Sequence, residues 1–383
     1  MKCGGSTPLS KREQAPALQN DMLNRRKAKI VKIVSERAGA QEVIVDLEGA
    51  QALAVNYSEL TGPVQIGDEV LLNVTAVEIG LGTGGVHFVI CNLSRPTGEA
   101  ERLPGHIVKL RYTPLQEAVL SVEEDGSPHQ ERIREFESLD GMPAICCELH
   151  SQIAPAAAAL KALMDYQIRI AYIMTDGAAL PIAFSRLVAE LREKGLLDAT
   201  ITCGQAFGGD IEAVNVYTAL IAAKQVVEAD AAIVCQGPGN AGTGSPYGFS
   251  GTQQGEAINA CSVLGGTAVA VVRMSFADPR ERHRGVSHHT RTVLGAVALS
   301  PALVALPELP GERARMVDQQ LEAVLAKGGH QVRILDGEPG LAELERNDIR
   351  VTTMGRSIEE DREFFLAASA GGALAAGLMQ KRT

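Results

Sequence analysis

The sequence predicts an α/β protein, a doubly wound, mostly parallel sheet preceded by a small N-terminal β-barrel of the OB or SH3-like kind. Two observations carry this. From about Met142 onward, short unbroken apolar runs alternate with amphipathic segments, as expected of parallel strands covered by helices on both faces. Between Arg26 and Leu93, by contrast, apolar and polar residues alternate singly, the period of half-buried strands.

In chain order, residues 1–24 are rich in Gly, Ser, Pro, Gln and Lys and hold no apolar core of the kind a secretory signal needs, so they read as a disordered tail. Met22 directly precedes the first strand-like run, which is also what an added upstream start codon would leave. Residues 25–95 read as the barrel. Val43, Val45 and Leu47 alternate with polar positions, as do Val70, Leu72, Val74 and Ala76, and turns are expected at Ala38-Gly-Ala, Glu48-Gly, Gln65-Ile-Gly-Asp68 and Leu81 to Gly85. The basic start Arg25-Arg-Lys-Ala-Lys29 would suit RNA, but Tyr57 and Phe88 are too few aromatics for base stacking, and a structural or partner-docking role is the better reading.

Residues 96–140 read as a connecting segment, and residues 141–383 as the α/β domain. Its expected strands are Met142–Leu149, Ile168–Met174, Thr200–Cys203, Ala231–Cys235, Thr267–Val272, Leu303–Leu306, Gln331–Leu335 and Ile349–Thr353. Expected helices run from Pro181 to Lys194 with Gly195 as stop, from Ile211 to Glu228 with Asp210 as cap, from Glu312 to Ala326 ended by Gly328-Gly329, and from just after Ser357. The stretch Phe364 to Met379 carries no charge but is short for a membrane span and dominated by Ala and Gly, which predicts a tightly packed helix of a soluble protein.

Composition narrows the partners. The net charge of -10 argues against general affinity for nucleic acid or anionic membrane, and 45% hydrophobic content over 383 residues suffices for a substantial core. The seven cysteines lack any Cys-x-x-Cys pair, and Cys146, Cys147, Cys203 and Cys235 fall in or at the ends of strand-like runs, which predicts reduced structural thiols in the cytoplasm.

Against this acidic background, Arg273 to Arg291 packs five arginines and three histidines into one loop directly after a buried strand. In open parallel sheets, ligands bind beyond the carboxyl ends of the strands. The other exits carry Glu148-Leu-His150, Thr175-Asp176, Gly204 to Asp210, and the glycine loop Gln236 to Ser245. The expected ligand is therefore a small anionic, phosphate-bearing metabolite. Gly237, Gly239, Gly242, Thr243 and Gly244 would cradle it, Arg273, Arg280, Arg282, Arg284, His150 and Asp210 would bind it, and His288, His289, His283 and Asp176 would supply catalysis.

Three other readings stand beside that one. The glycines fit G-x-G-x-x-G, but no helix can open within the run and Arg273 follows the next strand, leaving an NADP-linked oxidoreductase as a minor reading; no Lys-Ser/Thr follows, so a P-loop is excluded. A divalent metal held by His288 or His289 with His283, Asp278, Asp176 or His150 would make the protein a hydrolase, although adjacent histidines are not expected to face one ion from regular structure. A ligand sensor or scaffold docking a partner through the barrel is the third. An arginine-rich loop can also bury itself against a second copy's carboxylates, so homo-oligomerisation stays open, as do cofactor and metal.

Gly-Pro-Gly-x-x-Gly-Thr-Gly at 237–244, the run from Ser275 to Thr290, Leu149-His-Ser-Gln152 and Lys109-Leu-Arg-Tyr-Thr113 resemble those of a bacterial family, the domain-of-unknown-function 3866 family. The resemblance covers nearly everything after Met22. It implies a bacterial, cytoplasmic protein with one recurring architecture, and it supplies no substrate, cofactor or catalytic residue.

Overall fold

The structure is a computed structural model that describes residues 24–80, 85–95 and 105–381, so the expected tail up to residue 23 and residues 81–84 of an expected turn lie outside the described residues. The chain divides into two compact units.

The first is a closed barrel of β1 (Arg25–Arg37), β2 (Ala40–Leu47), β3 (Ala50–Tyr57), β4 (Glu69–Asn73) and β5 (His87–Asn92), in the order β1-β2-β3-β5-β4. The antiparallel pairing of β1 with β4 closes it, β3 and β5 run parallel, and a helical turn, α1 (Ser58–Thr61), joins β3 to β4, an OB-type arrangement. Ile30, Val43, Val45, Val70 and Leu72 fill the interior, as their alternation requires. Leu47 pairs with Ala50 across Glu48-Gly49, both at positive φ, the two-residue turn whose twist matches a hairpin. Ala76, expected in a strand, lies instead in a second helical turn, α2 (Thr75–Glu78), because β4 ends at Asn73, whose Oδ1 accepts from the Thr75 N–H.

The second unit begins, among the described residues, with a short hairpin of β6 (Ile107–Lys109) and β7 (Glu117–Val119) and a helical turn, α3 (Gln130–Arg134). Residues 105–140 therefore belong to the larger unit: Val122, Ile133 and Leu139 are buried in its core, and the buried Lys109 ammonium donates to the carbonyls of Gly204, Ala206 and Ala213.

Eight parallel strands make the main sheet: β8 (Pro143–Cys146), β9 (Ile170–Thr175), β10 (Ala199–Cys203), β11 (Ile211–Ala213), β12 (Ala231–Gln236), β13 (Thr267–Val271), β16 (Leu303–Pro307) and β17 (Gln331–Leu335). Their order is β11-β10-β9-β12-β8-β13-β16-β17, and a separate two-stranded ribbon, β14 (Met274–Ser275) with β15 (Gly285–Val286), brackets the basic loop. One face of the sheet packs against α6 (Val216–Gln225), α7 (Gln253–Val263) and, beyond a short helix α8 (His288–Thr292), α9 (Gly311–Gly328). The opposite face packs against α4 (Ile153–Leu163), α5 (Arg186–Glu193), α10 (Glu338–Arg346) and α11 (Arg362–Gln380). Both faces being buried explains why β8, β9 and β12 read as continuous apolar runs. The uncharged stretch of α11 is buried between α4 and the sheet, and among the described residues no helix is long and apolar enough to cross a membrane.

Three expected elements differ. Pro181 opens only a 3-10 turn, Ile182–Phe184, and the helix starts at Arg186 because the Ser185 hydroxyl accepts from the Val188 N–H. Asp210 caps no helix: its carboxylate accepts from the Thr200 N–H, Ile211–Ala213 pairs with β10 as an edge strand, and Asn215 caps α6 by accepting from Tyr217 and Thr218. Ile349–Thr353 forms no strand, its apolar side chains Ile349 and Val351 instead lining the core beneath α10.

Candidate functional site

Strand β8 is the point of divergence. It lies between β12 and β13, yet its own helix α4 covers one face while α7 and α9, which follow β12 and β16, cover the other. At such a reversal a ligand crevice is expected at the strand exit, here that of β8.

The exit is held by three buried glutamine amides. Gln152 accepts from the N–H groups of Glu148 and Leu149, Gln236 donates to the Glu148 carbonyl, and Gln254 donates to the carbonyls of Cys146 and Val271. Each amide satisfies peptide groups that the sheet ladder no longer reaches. Together they fix the backbone of Glu148, whose side chain points into a fully buried space.

There Glu148 Oε1 meets Arg273 Nη1 at 2.9 Å and His289 Nδ1 at 2.7 Å. Burial alone would raise the pKa of Glu148, but the His289 hydrogen bond and the Arg273 charge outweigh it and hold the carboxyl below its ordinary range. An ionised carboxylate can only accept, so Nδ1 of His289 carries a proton. The 3.0 Å approach of Arg273 Nη1 to that nitrogen is then a contact between two donors converging on one oxygen. The ring of His289 is clamped by Phe249, stacked face to face at 3.8 Å. Gly251 allows this packing, since a Cβ there would lie 2.5 Å from Cγ of Glu148.

His283 and His288 complete the cluster. One ring nitrogen from each of His283, His288 and His289 lies within 4.8 Å of those of the other two. Nδ1 of His283 shares a hydrogen bond with Ser287 at 2.8 Å, whereas Nε2 of His288 is buried without a partner among the described residues. Ser287 also caps α8 by accepting from His289 N–H, and this start at the first turn is what lets two adjacent histidines converge, contrary to the expectation from regular structure. Burial, reinforced by the Arg273 and Arg280 charges, pulls the pKa of His283 down to about 3; burial, with His289 and Arg282, pulls His288 down to about 4.

These depressed values predict a pH dependence of stability. Unfolded histidines protonate near 6.5, folded His283 and His288 only near 3 and 4, so between those limits the unfolded state binds more protons. Stability is then complete above about pH 6.5 and declines as pH falls towards 4. The urea midpoint should be lower at pH 5 than at pH 7.5, and a midpoint unchanged over that interval would contradict the neutral cluster.

The other expected residues divide into three places. Arg282 and Arg284 are exposed and have no carboxylate partner among the described residues; Arg282 lies by the cluster, where a Cβ on Gly244 would come 3.8 Å from its guanidinium. The glycine loop passes over the cluster, with a Cβ at Gly242 coming 3.6 Å from His289. Gly239 and Gly244 adopt positive φ, and Gly237 is packed on the Ala179 carbonyl. Much of the loop bonds to itself: Thr243 donates its N–H to the Gly248 carbonyl at 2.8 Å and its hydroxyl is shared with Ser245 and Gly248. No helix opens before Gln253, so the dinucleotide motif lacks the geometry it requires. Arg280 is spent on Asp278 in a two-point ion pair, which holds that carboxyl far below its usual range.

Asp176, His150 and Asp210 do not join the cluster. Asp176 accepts from Gln205 N–H and Gln253 and lines a separate hollow of about 190 Å³ with Asn215 and Glu256. His150 ties the exit of β12 to the start of α5, with Nδ1 on the Gln236 carbonyl and Nε2 at 2.7 Å from the Ser185 hydroxyl; burial pulls its pKa down to about 4. Asp210 lies beside Thr200 at the amino end of β10, paired with Arg192. Sequence reasoning assigned no role to Glu148, Phe249 or Ser287. The available signal was a lone carboxylate ending an otherwise apolar strand run.

A family model described as "Protein of unknown function (DUF3866)" matches residues 53–372. The chain belongs to this family. The DUF3866 match begins inside β3 and runs into α11, so it takes in every residue of the cluster and both strands that flank β8. No curated protein matches the chain.

Proposed function

We propose that the β8 exit binds a small anionic, phosphate-bearing metabolite of the cytoplasm and that the imidazole cluster takes part in its transformation. The observation that carries this reading is that Arg282, exposed and without a carboxylate partner among the described residues, as is Arg284, lies beside the clustered rings of His283, His288 and His289. In a chain of net charge -10, two guanidinium groups without carboxylates form a local basic spot suited to phosphate or carboxylate. Arg273 contributes differently from the expectation: its charge is consumed by Glu148, and it acts by holding that carboxylate ionised and His289 oriented. The unprotonated ring nitrogens supply proton acceptors at neutral pH. The reduced state of all six described cysteines fits a cytoplasmic setting.

The test is calorimetric titration of pyrophosphate and of inorganic phosphate into the full-length protein. A charge-assisted arginine contact contributes about 1.5–3 kcal/mol, so Arg282→Ala is expected to weaken binding by at least about tenfold. Equal affinity in wild type and variant, or no binding to wild type, would remove the anion from this edge.

A further inference from the structure

We infer that His283, His288 and His289 form a three-histidine site for a divalent transition-metal ion. The inference deepens the reading of the β8 exit as the functional site and rests on it for the location alone. Three features of the cluster point to an ion rather than to packed rings.

First, the donor set is three imidazoles converging from one loop and one helix start, with ring centroids 4.9, 5.1 and 4.4 Å apart. Bonds of about 2.1 Å in a tetrahedral site would bring the nitrogens to roughly 3.4 Å from one another, a small contraction from the 4.8 Å that bounds them here. Second, two of the rings are already oriented from behind. A metal-binding histidine commonly donates its other N–H to a carboxylate, as His289 does to Glu148, and His283 is held in the same manner by Ser287. Third, Nε2 of His288 is buried with no hydrogen-bond partner among the described residues, an expense that a bound cation would remove.

Imidazoles without thiolates suit zinc, cobalt, nickel, copper or iron in preference to magnesium or calcium. Three protein ligands leave a fourth position open, the pattern of sites that bind water or a substrate oxygen. The exposed guanidinium of Arg282 lies beside Gly244, in the loop that passes over the cluster, where it would help hold an oxyanion bound to the ion. With an ion in place, Nε2 of His289 would be a ligand in place of a free base, and the ion would supply a bound water of lowered pKa.

The experiment uses tag-free, full-length protein stripped with chelator and titrated with Zn²⁺ by calorimetry and with Co²⁺ by visible absorption. Wild type should bind one ion per chain and show the intense bands of four-coordinate cobalt. His288→Gln and His283→Gln should each weaken Zn²⁺ at least a hundredfold and lose those bands. Ser287→Ala keeps all three ligands and should weaken Zn²⁺ about tenfold, a loss that follows orientation and not ligand number. Wild-type affinity no greater than that of the His283→Gln/His288→Gln double variant would overturn the inference. Titrating pyrophosphate into the metal-free protein separates the two readings. Arg282-dependent binding there without ion binding would leave the anion site standing and the metal site refuted; ion binding with no pyrophosphate affinity in either form would do the reverse.

Discussion

Replacing Arg273 with alanine is expected to destabilise the protein by about 3–5 kcal/mol, as observed when one partner of a buried ion pair is removed. Glu148 is wholly inaccessible and Arg273 nearly so, and among the described residues the Glu148 carboxylate has only one further donor, His289. Without the guanidinium, the residual charge must be neutralised by taking up a proton, so the deficit should shrink as pH is lowered through the carboxylate range. Glu148→Gln combined with Arg273→Met should cost less than the sum of the two single changes, because no buried charge is left unpaired. Urea unfolding of wild type, Arg273→Ala, the two single changes and the double variant reads this directly. A loss below 1 kcal/mol for Arg273→Ala would mean that the pair is not the anchor of the site.

Gly372→Ala is expected to lower stability by about 2–3 kcal/mol, the upper part of the overpacking range, although alanine is the better helix former. A Cβ at this position would lie 2.1 Å from the Ala156 carbonyl oxygen and 2.9 Å from Cβ of Ala159, where α11 crosses α4. The obstacle is backbone, so the helices themselves must separate, and with them the packing under β8. Gly377, on the same helix, has nothing within 4 Å of its added Cβ. Gly377→Ala should therefore stabilise by about 0.5–1 kcal/mol. Thermal unfolding of both variants checks the pair, and equal shifts would contradict the close approach of α4 and α11.

The parallel sheet was legible because a strand buried on both faces is apolar along its length, and β8, β9, β12, β13 and β16 are so apart from Thr175, Gln236 and Thr267 at their ends. Edge strand β11 and the two-residue strands β14 and β15 were not legible. Ile211–Ala213 fits a helical pattern equally well, and pairing with β10, not local sequence, makes it a strand. In the site, the crowding of His283, His288 and His289 into one arginine-rich loop was visible as composition. Their convergence was not, because it depends on Ser287 starting α8 at that residue. The role of Glu148 was hidden for a different reason: its partners lie 125 and 141 residues away, and only the strand order brings β8 beside β13. Arg273 and Arg280 show the limit of reading charge from composition. Both looked available for a ligand, and both are neutralised by carboxylates, one distant and one two residues away.

The central claim, that the imidazole cluster at the β8 exit is where the ligand binds, is tested most directly by long-range ¹H–¹⁵N spectra of the eight histidine side chains during titration with pyrophosphate. The ring signals of His283, His288 and His289 should move together and saturate, while those of His87, His106, His129, His150 and His330 stay in place. Shifts confined to those other five, with the cluster unmoved at saturating pyrophosphate, would contradict it.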